Sequence, residues 1–209
     1  MQRHWLLYPI TLLYGMVVGL RNKLFDWKIL RSEEFDIPII SVGNLTVGGT
    51  GKTPHTEYLI ELLSQSFKVA LLSRGYKRKT SGYRLSTDNS TSKEIGDEPY
   101  QIKQKYPCIH VAVDGNRCRG IHHLCEDDQS KDVEVVLLDD AFQHRYVVPG
   151  INIVLADYNR PIHEDRLMPI GMLREPVSSI HRAHVVIVTK CPTDIKPIDF
   201  RIAAKHLEL

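Results

Sequence analysis

Cysteine is scarce in this sequence and carries no pattern. The four cysteines, at positions 108, 118, 125 and 191, form no CxxC pair and no Cys/His spacing typical of zinc; free thiols in a reducing compartment are the simplest account. Charge of one sign is also missing. A net charge of +2 excludes a strongly electrostatic nucleic-acid binder, and no nucleic-acid partner is expected. There is no internal repeat or low-complexity tract, and the ten histidines are scattered, which gives a metal-storage role little support. A long apolar run is absent too. The uncharged stretch from Trp5 to Leu20 has 16 residues, enough for a helix of about 24 Å where a hydrocarbon core measures roughly 30 Å. Arg3 and His4 precede it as in a signal peptide, but no small-residue cleavage site follows and Arg21, Asn22 and Lys23 come next. With Trp5, Tyr8, Tyr14 and the basic residues at headgroup level, the stretch reads as a helix lying in, or dipping into, the inner face of a membrane. The competing reading is a buried core helix.

What is present is the composition of a globular chain, 43% hydrophobic and 25% charged over 209 residues, room for one α/β domain of ordinary size. Its organising stretch is IISVGNLTVGGTGKTPHT, Ile39 to Thr56. An apolar strand runs into a glycine-rich turn and then into a helix. Gly43, Gly48, Gly49 and Gly51 have no Cβ to obstruct backbone N–H groups converging on one anion, and a phosphate chain fits that description. Lys52 adds a point charge for the β- and γ-phosphates and the Thr53 hydroxyl can ligate Mg²⁺, the division of labour in a Walker A loop. One position departs from that pattern: Thr46 stands where the first glycine belongs, while the extra glycines are at 48 and 49. Pro54 falls in the first helical turn, where proline is tolerated.

Downstream, apolar strands are expected at 37–42, 67–72, 109–113, 133–138, 151–156 and 184–189. Helices are expected at 52–65, from the GDEP at 96–99 onward, at 117–125 and at 198–209. Residues 80–93 read as a hairpin or loose excursion. The second strand ends in SRGYKRK, which puts Arg74, Lys77, Arg78 and Lys79 at the carboxyl edge of the sheet, where ligands of open α/β sheets sit; an anionic-substrate role and a plain solvated surface are both open. For Asp97 and Glu98, before Pro99, a metal-ligand role and a helix-start role compete. Arg117 lies near a helix start against the dipole's preference, as an anion-binding arginine would. VEVVLLDD delivers Asp139 and Asp140 to a strand end with opposite directions, one suited to the Mg²⁺ shell and the other to an acceptor hydroxyl. The long segment from Asp157 to Ser179, carrying Arg160, Arg166, Arg174 and Glu175, reads as a functional loop. Thr189 and Lys190 resemble the TKxD of GTPases only weakly, since CPTD follows. Regular strand–helix alternation argues a P-loop NTPase-like, doubly wound, mainly parallel sheet preceded by the apolar N-terminal helix.

SVGNLTVGGTGKTPH, SRGY, GDEP, LLDDAFQH and DRLMPIGMLREP, in this order after an apolar helix, closely resemble the tetraacyldisaccharide 4'-kinase family of lipid A biosynthesis, from the N-terminal helix to about Lys190. The resemblance implies a membrane-associated kinase that moves the γ-phosphate of ATP onto the 4'-hydroxyl of a tetraacylated glucosamine disaccharide 1-phosphate. Its implied place is the cytoplasmic face of a Gram-negative inner membrane. It implies Mg²⁺ on Thr53, Asp97 and Asp139, and ATP on Lys52 and the loop of Gly48, Gly49, Thr50 and Gly51, with Glu175 at the nucleotide site. Asp140 is implied to activate the attacking hydroxyl, and Arg74, Tyr76, Arg117, Gln143, His144 and Arg174 to meet substrate. No obligate protein partner is expected. Residues 1–30 are expected to form the membrane-associated helix, 31–195 the kinase domain and 196–209 the start of a part this chain lacks, since family members run well beyond this point. Two rivals stand beside this reading: a P-loop GTPase or metallochaperone, favoured by the histidines and extra glycines, and a nucleotide-binding fragment without turnover.

Overall fold

Apolar segments alternate with amphipathic ones along the chain, and the structure, a computed structural model that describes residues 7–205 and 207, turns them into strands and helices. In order these are α1 (Tyr8–Asp26), β1 (Ile39–Asn44), α2 (Lys52–Leu63), β2 (Val69–Ser73), β3 (Arg84–Leu85), α3 (Ser92–Ile95), α4 (Asp97–Lys105), β4 (His110–Val113), α5 (Arg117–Glu126), β5 (Val135–Asp139), β6 (Ile151–Asp157), a 3-10 helix (Val177–Arg182), β7 (Val185–Thr189) and α6 (Pro197–Lys205). Arg3, His4 and Trp5, and residues 206, 208 and 209 of the expected last helix, lie outside the described residues. The seven strands order as β3-β4-β2-β5-β1-β6-β7. Pairs β1–β5, β2–β5, β2–β4 and β6–β7 are parallel, and β3–β4 is antiparallel.

The chain divides into two compact units, Ser32–Val42 with Lys52–Ile151, and Met1–Arg31 with Gly43–Gly51 and Asn152–Leu209. In the first of these, β2 and β5 are buried at every position, as continuous apolar runs covered on both faces require. Alternate residues sort to opposite faces. Ala70, Leu72, Ala112, Val136 and Leu138 pack with Ile121 and Leu124 of α5, while Val69, Leu71, Val111, Val135 and Leu137 pack with Ile60 of α2 and Ile102 of α4. The sheet is thus wound on both faces. The register Val42↔Asp139 and Leu72↔Leu138 brings the carboxyl ends of three strands level.

The stretch 80–93 is neither a full hairpin nor a loose loop. It contributes the two-residue β3 to the edge of β4 and then α3, opened by a capping box in which Thr91 and Glu94 satisfy each other's backbone N–H groups. In the other unit, α1 continues past the charged residues at 21 and 23 to Asp26, because a charge interrupts an apolar run without interrupting a helix. Leu12, Leu13, Met16, Val17 and Leu20 on it are all more than half exposed, so the buried-core reading of this helix fails. Among the described residues no helix is long and apolar enough to cross a membrane. All four cysteines are free.

Candidate active site

Within the first unit the carboxyl ends of β2 and β5 gather the charged residues. Asp139 ends β5 and is only 7% exposed. Burial, followed by the neighbouring charges of Glu98 and Asp140, pushes its carboxyl up to about 6, partly offset by Lys52 and Arg117. Ser73, at the end of β2, donates its hydroxyl to Asp139 Oδ2 over 3.4 Å. Asp140 follows in a left-handed turn, φ 47°, which carries its side chain away from the strand. There its Oδ1 lies 3.5 Å from Lys52 Nζ. The opposite directions expected for the two acids are what this turn produces, one buried among strand ends and one half-exposed against the lysine.

Arg117 is buried, 3% exposed, at the start of α5. Its Nη1 donates to the Asp114 carbonyl (2.6 Å) and its Nη2 to the Asp139 carbonyl (3.3 Å). Its Nε finds no partner among the described residues. Burial brings it down to about 10, with repulsion from Arg74 adding to the effect and Asp139 opposing it. An orphaned guanidinium N–H beside carboxylates crowded by their own charge suits a ligand that brings both phosphate oxygens and a divalent cation. Thr53 sits one residue beyond Lys52 in α2, half-buried. Among the described residues no group of three or more His, Cys, Asp or Glu side chains is arranged to hold a metal by itself. Magnesium held by Asp139 and Thr53 would need phosphate oxygens or water to complete its shell.

Asp97 is exposed in the first turn of α4, and it is the next residue, Glu98, that acts on Asp139. Sequence reasoning weighed Asp97 and Glu98 together, and the family resemblance singled out Asp97 alone; both are exposed. Arg74 and Tyr76 are exposed on the loop after β2. Gln143 and His144 occupy the turn after β5, where His144 N–H donates to the Ala141 carbonyl and the ring packs 5.5 Å from Tyr146.

The glycine loop belongs to the other unit. Gly48 (φ 114°) and Gly51 (φ 86°) occupy a region closed to most side chains. Thr50 is fixed from two sides: its hydroxyl accepts from Asn44 Nδ2 at 2.8 Å and its carbonyl accepts from Thr189 Oγ1 at 3.0 Å. Segment 172–174 runs beside the loop. Val47 N–H donates to the Met172 carbonyl and Arg174 N–H to the Leu45 carbonyl, with a bridge between Thr46 and Leu173. The same segment is tied to α1, since Tyr14 Oη donates to the Arg174 carbonyl at 2.7 Å and Arg21 lies 3.9 Å from Glu175. Glu175 is 1% exposed and bonded to Arg182. Arg160, which the sequence placed in the functional loop without a role of its own, has its Nη1 3.5 Å from where a Cβ on Gly48 would sit.

Comparison with known proteins gives a consistent result. The family model described as Tetraacyldisaccharide-1-P 4'-kinase matches residues 3–208, beyond the Lys190 limit expected from the motifs. The chain is 61% identical over 203 residues to the tetraacyldisaccharide 4'-kinase of Phocaeicola vulgatus, covering 97% of this chain and 56% of that protein. To its counterpart in Bacteroides thetaiotaomicron it is 59% identical over 206 residues, covering 99% and 54%. The crystal structure of LpxK from Aquifex aeolicus in complex with ATP superposes with a TM-score of 0.82 at 37% identity, covering 90% of this chain and 59% of that one. The chain spans about half the length of the curated relatives it matches. The GTPase or metallochaperone reading is not favoured by these matches. With the glycine loop, the paired strand-end acids and nearly every residue matched, the chain belongs to the Tetraacyldisaccharide-1-P 4'-kinase family.

Proposed function

We propose that the chain carries the ATP-handling machinery of a lipid A kinase, acting on the 4'-hydroxyl of a tetraacylated glucosamine disaccharide 1-phosphate. The observation that carries this reading is the Lys52–Asp140 pair at 3.5 Å, set beside the buried, charge-crowded Asp139 and directly following a glycine loop. Bound Mg·ATP supplies the γ-phosphoryl group and the charge neutralisation it needs in transit. Lys52, Thr53 and the loop Gly48, Gly49, Thr50 and Gly51 hold the triphosphate, and Asp139 with Asp97 completes the metal's acidic side. Once Lys52 turns to phosphate oxygens, Asp140 loses its ion-pair partner and becomes a carboxylate able to take the 4'-hydroxyl proton as that oxygen attacks the γ-phosphorus. The bond from γ-phosphorus to the β–γ bridging oxygen breaks and ADP leaves. Arg117 stands ready to donate to phosphate oxygens. Arg74, Tyr76, Gln143, His144 and Arg174 are assigned to the substrate, and Glu175 to the nucleotide side through the Arg182 contact it fixes.

The exposed apolar side chains of α1 support adsorption to the lipid surface that holds the acylated substrate, on the cytoplasmic side of a Gram-negative inner membrane, where ATP is available. Transfer of label from γ-labelled ATP to a tetraacylated disaccharide 1-phosphate, with ATP affinity measured in parallel, tests the reading. Label at the 4'-position is the expected result. ATP binding without transfer reduces the chain to a nucleotide-binding module, and absence of ATP binding overturns the proposal. If Asp97→Asn rather than Asp140→Asn abolishes transfer while ATP affinity persists, the proton acceptor is Asp97.

A further inference from the structure

The segment after β6 carries an arginine whose backbone is fixed and whose charge is unspent. Asp157, which ends β6 beside Thr189 of β7, opens a tight turn: its Oδ1 accepts from the Asn159 N–H and its carbonyl from the Arg160 N–H, both at 3.0 Å. The turn is tied down from β7 as well. Tyr158 N–H donates to the Thr189 carbonyl at 2.9 Å and Asn159 Nδ2 to the Lys190 carbonyl at 3.3 Å. Pro161 follows and disfavours helical backbone at Arg160. The turn and the glycine loop belong to one compact unit, and Thr189 joins them by donating its hydroxyl to the Thr50 carbonyl at 3.0 Å.

Asp157 is the carboxylate on which the Arg160 charge acts, but both of its oxygens are engaged, Oδ1 by Asn159 and Oδ2 by Lys190 Nζ at 2.6 Å. Among the described residues the Arg160 guanidinium therefore has neither a hydrogen bond nor an ion pair. It is exposed, yet it does not point away into solvent. Its Nη1 stands at contact distance from Gly48, four residues before Lys52, on the side to which that glycine would project a side chain. A Walker A loop turns its N–H groups to the α- and β-phosphates and its lysine to the β- and γ-oxygens. The γ-phosphoryl group, with three terminal oxygens, is left with the fewest partners, and a planar fork of N–H donors matches such oxygens.

We propose that Arg160 is a catalytic arginine supplied in cis, whose guanidinium reaches across Gly48 and donates to terminal oxygens of the γ-phosphoryl group of ATP. The assignment rests on the kinase reading above and adds a residue to it. In the ground state Arg160 lets the site tell ATP from ADP, which lacks the group it holds. During transfer it stabilises the charge spread over the oxygens of the moving phosphoryl group. No bond to Arg160 is made. The γ-phosphorus leaves the β–γ bridging oxygen for the 4'-oxygen, the hydroxyl proton passes to Asp140, and the guanidinium keeps its own protons throughout. The bolted turn matters for this role, because an arginine already placed beside the loop loses less freedom when the nucleotide arrives.

The test measures Kd for Mg·ATP and for Mg·ADP on the 209-residue chain and on its Arg160→Gln and Arg160→Lys variants, with melting midpoints taken in the absence of nucleotide. The expected result is that Arg160→Gln weakens ATP about ten- to hundredfold and leaves ADP affinity unchanged. Arg160→Lys recovers only part of the loss, since a point charge replaces the fork. The midpoint without nucleotide stays where it was, as for an exposed side chain without partners. Equal weakening of ATP and ADP puts Arg160 on phosphates that both nucleotides carry, or on the shape of the loop, and overturns the proposal. Unchanged ATP affinity in Arg160→Gln overturns it too. Both of those outcomes leave the kinase reading standing, whereas a wild-type chain that binds neither nucleotide sinks that reading and the arginine's role with it.

Discussion

Replacing Asp139 by asparagine removes one charge from a place where the carboxylates of Glu98 and Asp140 already act on it, and leaves the side chain's shape nearly unchanged. A carboxyl held at about 6 instead of its ordinary 3.8 binds protons more tightly folded than unfolded. Ionising it therefore costs stability, in full above pH 6 and progressively less as the pH falls toward 4. At about 1.4 kcal/mol per tenfold change in proton affinity the cost at pH 8 is about 3 kcal/mol. It needs little discount for solvent, because Asp139 is only 7% exposed. The hydrogen bond from Ser73, long at 3.4 Å, can be kept by asparagine. Asp139→Asn should thus raise the thermal midpoint at pH 8 in EDTA by roughly 5–10 °C for a chain of this size. The gain should fall to about half at pH 5 and nearly vanish at pH 4. Adding Mg·ATP should reverse the order, since the wild type alone regains stability by binding, about 2.7 kcal/mol at a hundredfold excess over Kd. Circular-dichroism melts at three pH values, with and without Mg·ATP, measure all of this. A variant less stable than wild type at pH 8 in EDTA, or a gain that persists unchanged at pH 4, refutes the account of Asp139 as an acid strained by its neighbours and awaiting a cation.

Lys52→Ala should abolish phosphate transfer while changing stability by less than about 1 kcal/mol, since its ion pair with Asp140 at 3.5 Å is partly solvated; a denaturant titration beside the transfer assay separates the two effects. Leu12→Gln combined with Met16→Gln places two polar groups on α1 where the native side chains are 66% and 64% exposed. The melting midpoint should hardly move, while partition onto anionic vesicles should fall by about tenfold or more. Unchanged partition would remove α1 from the membrane-binding surface.

Much of this was legible because the chain's strongest signals are local. Four apolar residues before Asp139 can only be a strand covered on both faces, and a strand of that kind in an open parallel sheet ends at the ligand edge. Glycines with GKT after an apolar strand announce a loop that turns N–H groups inward, whatever stands at Thr46. The reading slipped where a local signal went unused: the T-x-x-E of Thr91 to Glu94 was a capping box inside a stretch read as a hairpin or loose excursion.

What pattern could not reach is which side chains meet across elements. Asp97 and Glu98 are adjacent in the first turn of α4, and both carry a carboxylate suited to that dipole. Successive helical residues point about 100° apart, so the two stand differently toward the end of β5. The placement depends on how α4 is rotated, which its buried residues Pro99 and Ile102, the latter against Val69, Leu71 and Val111, set. Both acids are exposed, and the charge of Glu98 is close enough to act on Asp139. The same logic explains Arg119: on α5 the buried side chains of Ile121 and Leu124 set the helix's face, and the arginine two residues before Ile121 is carried round to the Asp114 carboxylate. The acid is neutralised by that contact, and Arg78 nearby keeps one buried N–H, on Nη1, without an acceptor among the described residues.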